Sequence, residues 1–197
     1  MKKIVLALTL LLAAAAGYAQ TATQVLDKAS QKLNIKSGFK ADFKASMPQG
    51  TITGTVAVKG NKFMATTQHT KMWFDGKTQW TYMTRNDEVN VSNPKDSELQ
   101  AMNPYNFINL YKKGYKSTMR TEGGNYVIHL TADSKAKKVQ ELFITVDKSY
   151  SLTQVKMLQG KKWTIFDITN LKQEALADSY FRFNAKDFPT AEVIDLR

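Results

Sequence analysis

Between residues 39 and 168 the chain keeps returning to a period of two, a large apolar residue followed by a polar one, interrupted at short intervals by Gly, Pro, Asn or Asp. Only an extended backbone turns successive side chains to opposite faces, so this pattern commits most of the chain to antiparallel strands with one apolar and one wet face. Phe39, Ala41, Phe43, Ala45 and Met47 alternate with Lys40, Asp42, Lys44 and Ser46 before a turn at Pro48-Gln49-Gly50. Ile52, Gly54, Val56 and Val58 continue in the next strand as far as Gly60-Asn61. Phe63 and Ala65 fall in a third strand, and Met72 to Phe74 in a fourth. Asp75-Gly76 predicts a two-residue type I′ hairpin. It leads into a strand on which Trp80 and Tyr82 share a face, with Val89 and Val91 following. The alternation resumes at Tyr115, Ser117 and Met119, turns at Gly123-Gly124, and runs on through Tyr126, Ile128, Leu130, Leu142, Ile144, Val155, Met157, Trp163 and Ile165, with Phe166 and Ile168 on the alternative face. The count is ten to eleven strands joined by tight turns. That describes a mainly β chain folded as one highly curved sheet or an incomplete barrel.

Two segments break the pattern. Val25, Leu26, Ala29 and Leu33 recur at helical spacing behind Thr21 or Thr23 as N-cap, which predicts a helix over residues 21–35. Between 93 and 113 the alternation disappears, and Asn103-Pro104 precedes Tyr105, Phe107, Ile108, Leu110 and Tyr111, which predicts a second, short helix. Helices at these two points would cover the concave side of the sheet.

The N-terminus reads as a signal for export. Lys2 and Lys3 precede an apolar run from Ile4 to Ala16, and Gly17-Tyr18-Ala19 supplies small residues for cleavage, so residues 1–19 are expected to be removed, leaving 20–197 as one domain. The run is short of the ~20 residues that a spanning helix needs. With no cysteine the chain has neither a disulfide nor a lipidation site of that type, and its core alone must hold it together. Loss of Lys2 and Lys3 takes the 28 basic residues to 26 against 17 acidic ones, a net charge of +9. Such a balance favours acidic partners, among them anionic lipid head groups. The lysines are scattered over polar strand faces, which argues for solvated surfaces over a nucleic-acid stripe.

Catalytic chemistry is hard to find. The two histidines, His69 and His129, stand apart, and no nucleophile elbow, zinc-binding helix or phosphate-cradling loop is present. Asp87 and Glu88 read as turn residues. Paired carboxylates from distant strands would be needed to make the chain a secreted hydrolase. Core packing explains any single aromatic here. The same apolar faces, with methionines at 47, 64, 72, 83, 102, 119 and 157, also suit an adaptable wall around a cavity.

The helix behind the signal, the Phe39-x-Ala41-x-Phe43 strand, Gly54-Thr55-Val56-Ala57-Val58-Lys59 leading to Asn61-Lys62-Phe63, and Asp75-Gly76-Lys77-Thr78-Gln79-Trp80-Thr81-Tyr82 together resemble the LolA family of periplasmic lipoprotein carriers. The tail resembles it as well, in Asp178-Ser179-Tyr180-Phe181-Arg182-Phe183, Pro189 and Val193-Ile194-Asp195. The resemblance implies an unclosed, strongly curved antiparallel β-barrel with helices as a lid over an apolar cavity. It further implies a monomeric carrier, without cofactor or metal, that takes acylated lipoproteins from an inner-membrane releasing complex to an outer-membrane acceptor. On that footing Phe43, Met47, Met72, Phe74, Trp80, Tyr82, Phe107, Ile108 and Tyr111 are expected at the cavity or lid, and Phe63 and Lys62 at the mouth where a partner is met. Gly60-Asn61-Lys62 departs from the Arg-Pro pair that the family often carries there, leaving Lys62 as the candidate latch. A regulatory or general lipid-binding module on the same fold is the alternative.

Overall fold

The computed structural model describes residues 20–95, 99, 110–112 and 114–197. Among the described residues the first element is the helix α1 (Ala22–Leu33). Thr21 caps it reciprocally with Gln24: the Gln24 amide donates to Thr21 Oγ1 at 3.2 Å, and the Thr21 amide donates to Gln24 Oε1 at 2.9 Å. Asn34 ends it in the left-handed conformation, with φ 41°. Val25, Leu26, Ala29 and Leu33 are buried on one face, as their spacing predicts.

Among the described residues twelve strands follow: β1 (Phe39–Met47), β2 (Gly50–Lys59), β3 (Lys62–Thr67), β4 (Thr70–Phe74), β5 (Gln79–Met83), β6 (Glu88–Ser92), β7 (Tyr115–Glu122), β8 (Asn125–Ala132), β9 (Val139–Val146), β10 (Leu152–Gln159), β11 (Lys162–Gln173) and β12 (Glu192–Asp195). They form one open, curled sheet in the order β12, β6, β5, β4, β3, β2, β1, β11, β10, β9, β8, β7. Hairpins account for most of this order. The two long-range pairings are β1 with β11, antiparallel, and β12 with β6, parallel. The sheet thus has one or two strands more than the alternation counts. β12 is the addition that the pattern hides, four residues long and running parallel.

The Asp75-Gly76 turn is longer than the predicted two-residue loop. Phe74 pairs with Gln79, so four residues make the connection. Asp75 Oδ1 accepts the amides of Lys77 at 3.1 Å and Thr78 at 2.9 Å, and of the two only Gly76 has positive φ, at 102°.

α1 packs on the inner face of the sheet, against a core that includes Phe39, Val58, Phe63, Ile128, Leu142, Ile144 and Val155. The polar contacts at its two ends lie at one end of the strands. Gln20 Nε2 donates to the Tyr150 hydroxyl at 2.8 Å and Lys32 Nζ to the Ser149 carbonyl at 2.7 Å, while the Gly60 amide donates to the Ile35 carbonyl at 2.7 Å. Tyr150 and Ser149 sit in the β9–β10 turn and Gly60 in the β2–β3 turn, at the same end of the sheet.

The outer face is crossed by the C-terminal segment from residue 174 onward. Phe181 is buried with Ala57 and Leu176. Phe188 packs on Trp73 and Tyr82, with ring centroids 5.6 and 4.6 Å away, and Phe183 lies 5.7 Å from Trp73.

Candidate functional site

The inner face changes character along the strands. Beneath α1 it is solid: Phe39, Val58, Phe63 and Phe74 are all buried, and the Phe63 and Phe74 rings lie 5.4 Å apart. Away from that end, Phe43, Met72, Met119 and Phe166 pack against the same core but stay half-buried. Each is carried by a different strand, and the ladder brings them onto one face: Phe43 pairs with Ile168, Phe166 with Ala45 and Val155, Met119 with Ile128, and Met72 with Ala65. Met47, at the end of β1, is half-buried, and Ile52 next to it on β2 is 45% exposed. A half-exposed apolar wall continuous with a closed core can gain about 25 cal/mol for each Å² that an apolar ligand covers.

Room for one of these rings comes from a missing side chain. The Phe43 ring lies against Gly54, its cross-strand partner, so close that a Cβ at 54 would stand 2.9 Å from it.

On the other side of the inner face, Leu99, Leu110 and Tyr111 pack against the core. The Tyr111 hydroxyl donates to Asp27 Oδ1 on α1, and Lys112 Nζ lies 3.1 Å from the same oxygen. The Tyr111 hydrogen bond first, and the Lys112 ammonium second, hold the Asp27 carboxyl below the usual carboxylate range. Burial first, and the Asp27 hydrogen bond second, push the Tyr111 phenol up. Gln79, beside Phe74 on the inner face, donates to Thr81 Oγ1 at 3.1 Å and leaves its buried Oε1 without a partner.

Of the residues expected at the cavity, Phe43 and Met72 lie on the half-buried wall, Met47 on the same face at its rim, and Tyr111 against α1. Phe74 is on the right face but belongs to the solid core. Trp80 and Tyr82 require correction. Because Phe74 pairs with Gln79 and Met72 with Thr81, Trp80 and Tyr82 continue the face of Trp73 and Lys71, which is the outer one, where the C-terminal segment covers them. Phe63 is likewise a core residue, 2% exposed, and not a contact at an accessible mouth. Lys62 turns to the C-terminal segment. Its Nζ is 2.7 Å from Asp178 Oδ2, while Lys59 takes Asp178 Oδ1 at 2.9 Å, so it latches that segment. Phe107 and Ile108, and the signal expected over residues 1–19, lie outside the described residues. The wall also contains Met119 and Phe166, which the sequence analysis did not single out as site residues. The alternative-face pair Phe166 and Ile168 was the available signal.

A family model described as outer membrane lipoprotein carrier protein LolA matches residues 12–161. The tail motifs from Asp178 to Asp195 lie beyond that match. No curated protein matches the chain. Among solved structures, an uncharacterized conserved protein from Thermus thermophilus is similar over 89% of this chain and 99% of its own, with a TM-score of 0.59 and 13% identity. A LolA superfamily protein from Nitrosomonas europaea is similar over 84% of this chain and 99% of its own, at TM-score 0.45 and 12% identity. The MucA/MucB complex of Pseudomonas aeruginosa matches 83% of this chain and 61% of its own, at TM-score 0.44 and 13% identity. The Thermus thermophilus protein shares the architecture of this chain.

Proposed function

The chain belongs to the LolA family of outer membrane lipoprotein carrier proteins, and on that footing we propose that it binds lipoprotein acyl chains against its inner face and carries them through the periplasm from the inner to the outer membrane. The observation that supports this reading is the wall of Phe43, Met72, Met119 and Phe166, apolar, half-buried and continuous with the core. At about 0.8 kcal/mol per methylene, a chain of ~16 carbons has roughly 12 kcal/mol to gain by leaving water. Such cargo cannot cross an aqueous compartment without a wall of this kind. The role is one of binding and release, with an inner-membrane releasing complex loading the carrier and an outer-membrane acceptor unloading it. Release requires that the empty form regain part of the burial energy, and α1 lying on the same core is placed to contribute to that.

The test is to recover the protein from its own envelope without detergent and weigh its complexes by native mass spectrometry. Triacylated lipoproteins bound one to one are expected. Phe43→Asp and Met72→Asp should lose them while still melting cooperatively. Free lipid alone, or no ligand, would overturn the reading.

A further inference from the structure

We infer that the adjacent β1–β2 and β10–β11 hairpin tips form a docking surface for an anionic phospholipid bilayer; the inference deepens the carrier reading and rests on it. The two tips are neighbours because β1 pairs with β11, with Ser46 opposite Ile165 as the last matched pair before both turns. They lie at the end of the sheet away from the Lys32–Ser149 and Ile35–Gly60 contacts. This is the end toward which the half-buried wall runs, through Phe43 to Met47.

Charge and polarity on these tips are one-sided. Residues 43–54 and 155–166 contain four lysines, at 44, 156, 161 and 162, and no aspartate or glutamate. Other turns mix the two signs, Asp75 with Lys77 and Asp147 with Lys148 at the opposite end, and Arg85 with Asp87 and Asp133 with Lys135 beside the tips at the same end, so the acid-free stretch is confined to these two hairpins. Between the lysines stand apolar side chains that stay exposed or half-buried. Ile52 is 45% exposed on the inner side, and Trp163 is half-buried on the outer side with Lys156 Nζ 4.5 Å from its ring centroid. An exposed aliphatic, an indole at the rim and lysines with long apolar stems are the groups that settle at a bilayer interface. The stems and rings enter the head-group boundary, while the ammonium groups stay with the phosphates. A nucleic acid would meet the same charge but give no use to Ile52. A bilayer uses both. Docked in this way, the half-buried wall runs toward the membrane from which an acyl chain must leave or into which it must go.

The chain has no cysteine, so Ile52→Cys and, at the opposite end, Lys148→Cys can each carry a single polarity-sensitive dye. On vesicles of phosphatidylethanolamine and phosphatidylglycerol, the dye at 52 should shift to the blue and brighten, and the dye at 148 should not. Lys161→Glu with Lys162→Glu should weaken partition roughly tenfold or more, and added salt should weaken that of the parent. The same double variant should keep its affinity for a triacylated lipopeptide in solution. A silent dye at 52, equal partition onto neutral phosphatidylcholine, or unchanged partition of the double variant would overturn the inference. So would crosslinks from position 52 to an envelope protein in place of lipid. If the parent inserts at 52 but binds no lipopeptide, the carrier reading fails and the docking surface stands.

Discussion

Phe43 and Gly54 face each other across β1 and β2, and the ring of the first fills the space that a side chain on the second would take. A Cβ at 54 would also fall 2.1 Å from the Thr66 carbonyl oxygen on β3, so the backbones of two strands and a ring of the apolar wall converge on this one position. Gly54→Ala is therefore expected to cost about 1–3 kcal/mol in urea unfolding. It should also weaken lipopeptide binding, because the strain is relieved by pushing Phe43 into the space that an acyl chain would use. An alanine variant with parental stability would show that β2 and β3 can part without cost.

The Asp27–Tyr111 hydrogen bond ties α1 to the segment that follows β6. Tyr111→Phe keeps the packing against the core and removes only the hydroxyl. Because Asp27 is largely solvent-facing, the loss should be small, about 0.5 kcal/mol. The pH dependence is more diagnostic. Asp27 has a depressed pKa in the folded protein, so its contribution is present above the ordinary carboxylate range and is lost as pH falls. Tyr111 has a raised one, so its contribution is present below the ordinary phenol range and is lost as pH rises through the raised value. Between roughly pH 4 and 10 the tie holds in full. Hydrogen exchange of α1 should accelerate on either side of that window in the parent, and show less acid dependence in Asp27→Asn.

Much of this architecture is legible in the sequence because period-two alternation is a direct imprint of the pleat. The helix face of Val25, Leu26, Ala29 and Leu33 and the Thr21 cap are equally local signals. What fails is pairing. Phe74 and Trp80 look like one aromatic cluster in the sequence, but pairing Phe74 with Gln79 puts them on opposite sides of the sheet. Alternation shows that a strand has two faces without saying which one is inner. The answer lies about a hundred residues away, in Phe183 and Phe188, which cover the outer aromatics. The role of Lys62 is hidden for the same reason, since its partner is Asp178.

Phe188 gives a direct test of that placement. Its ring meets Trp73, Tyr82 and Phe183 within 5.6 Å, all on the outer face. Phe188→Ala should destabilise the fold by about 2 kcal/mol, below the usual core value because the ring is half-buried, and should alter the near-ultraviolet dichroism of the tryptophans. Lipopeptide affinity at saturating stability should not change. A loss of affinity matching that of a Phe43 variant would place the outer aromatics in the binding site after all.

Asp178 anchors the C-terminal segment to two lysines at once, and its carboxyl is lowered to about 2, first by the hydrogen bond from Lys62 and then by that from Lys59. A carboxylate depressed on folding stabilises the native state above its unfolded pKa, near 3.9, and loses that contribution as pH falls through the folded value. The stability of the parent and of Asp178→Asn should therefore differ at neutral pH and converge between about pH 4 and 2. Carbon-detected titration of the Asp178 carboxyl separates the two partners. Lys62→Ala should raise the midpoint more than Lys59→Ala, and the double variant should return it to the ordinary range. Both lysines reach Asp178 from the two sides of the β2–β3 turn, so a midpoint unmoved by either substitution would mean that the segment is held at this point by Phe181 and Leu176 alone.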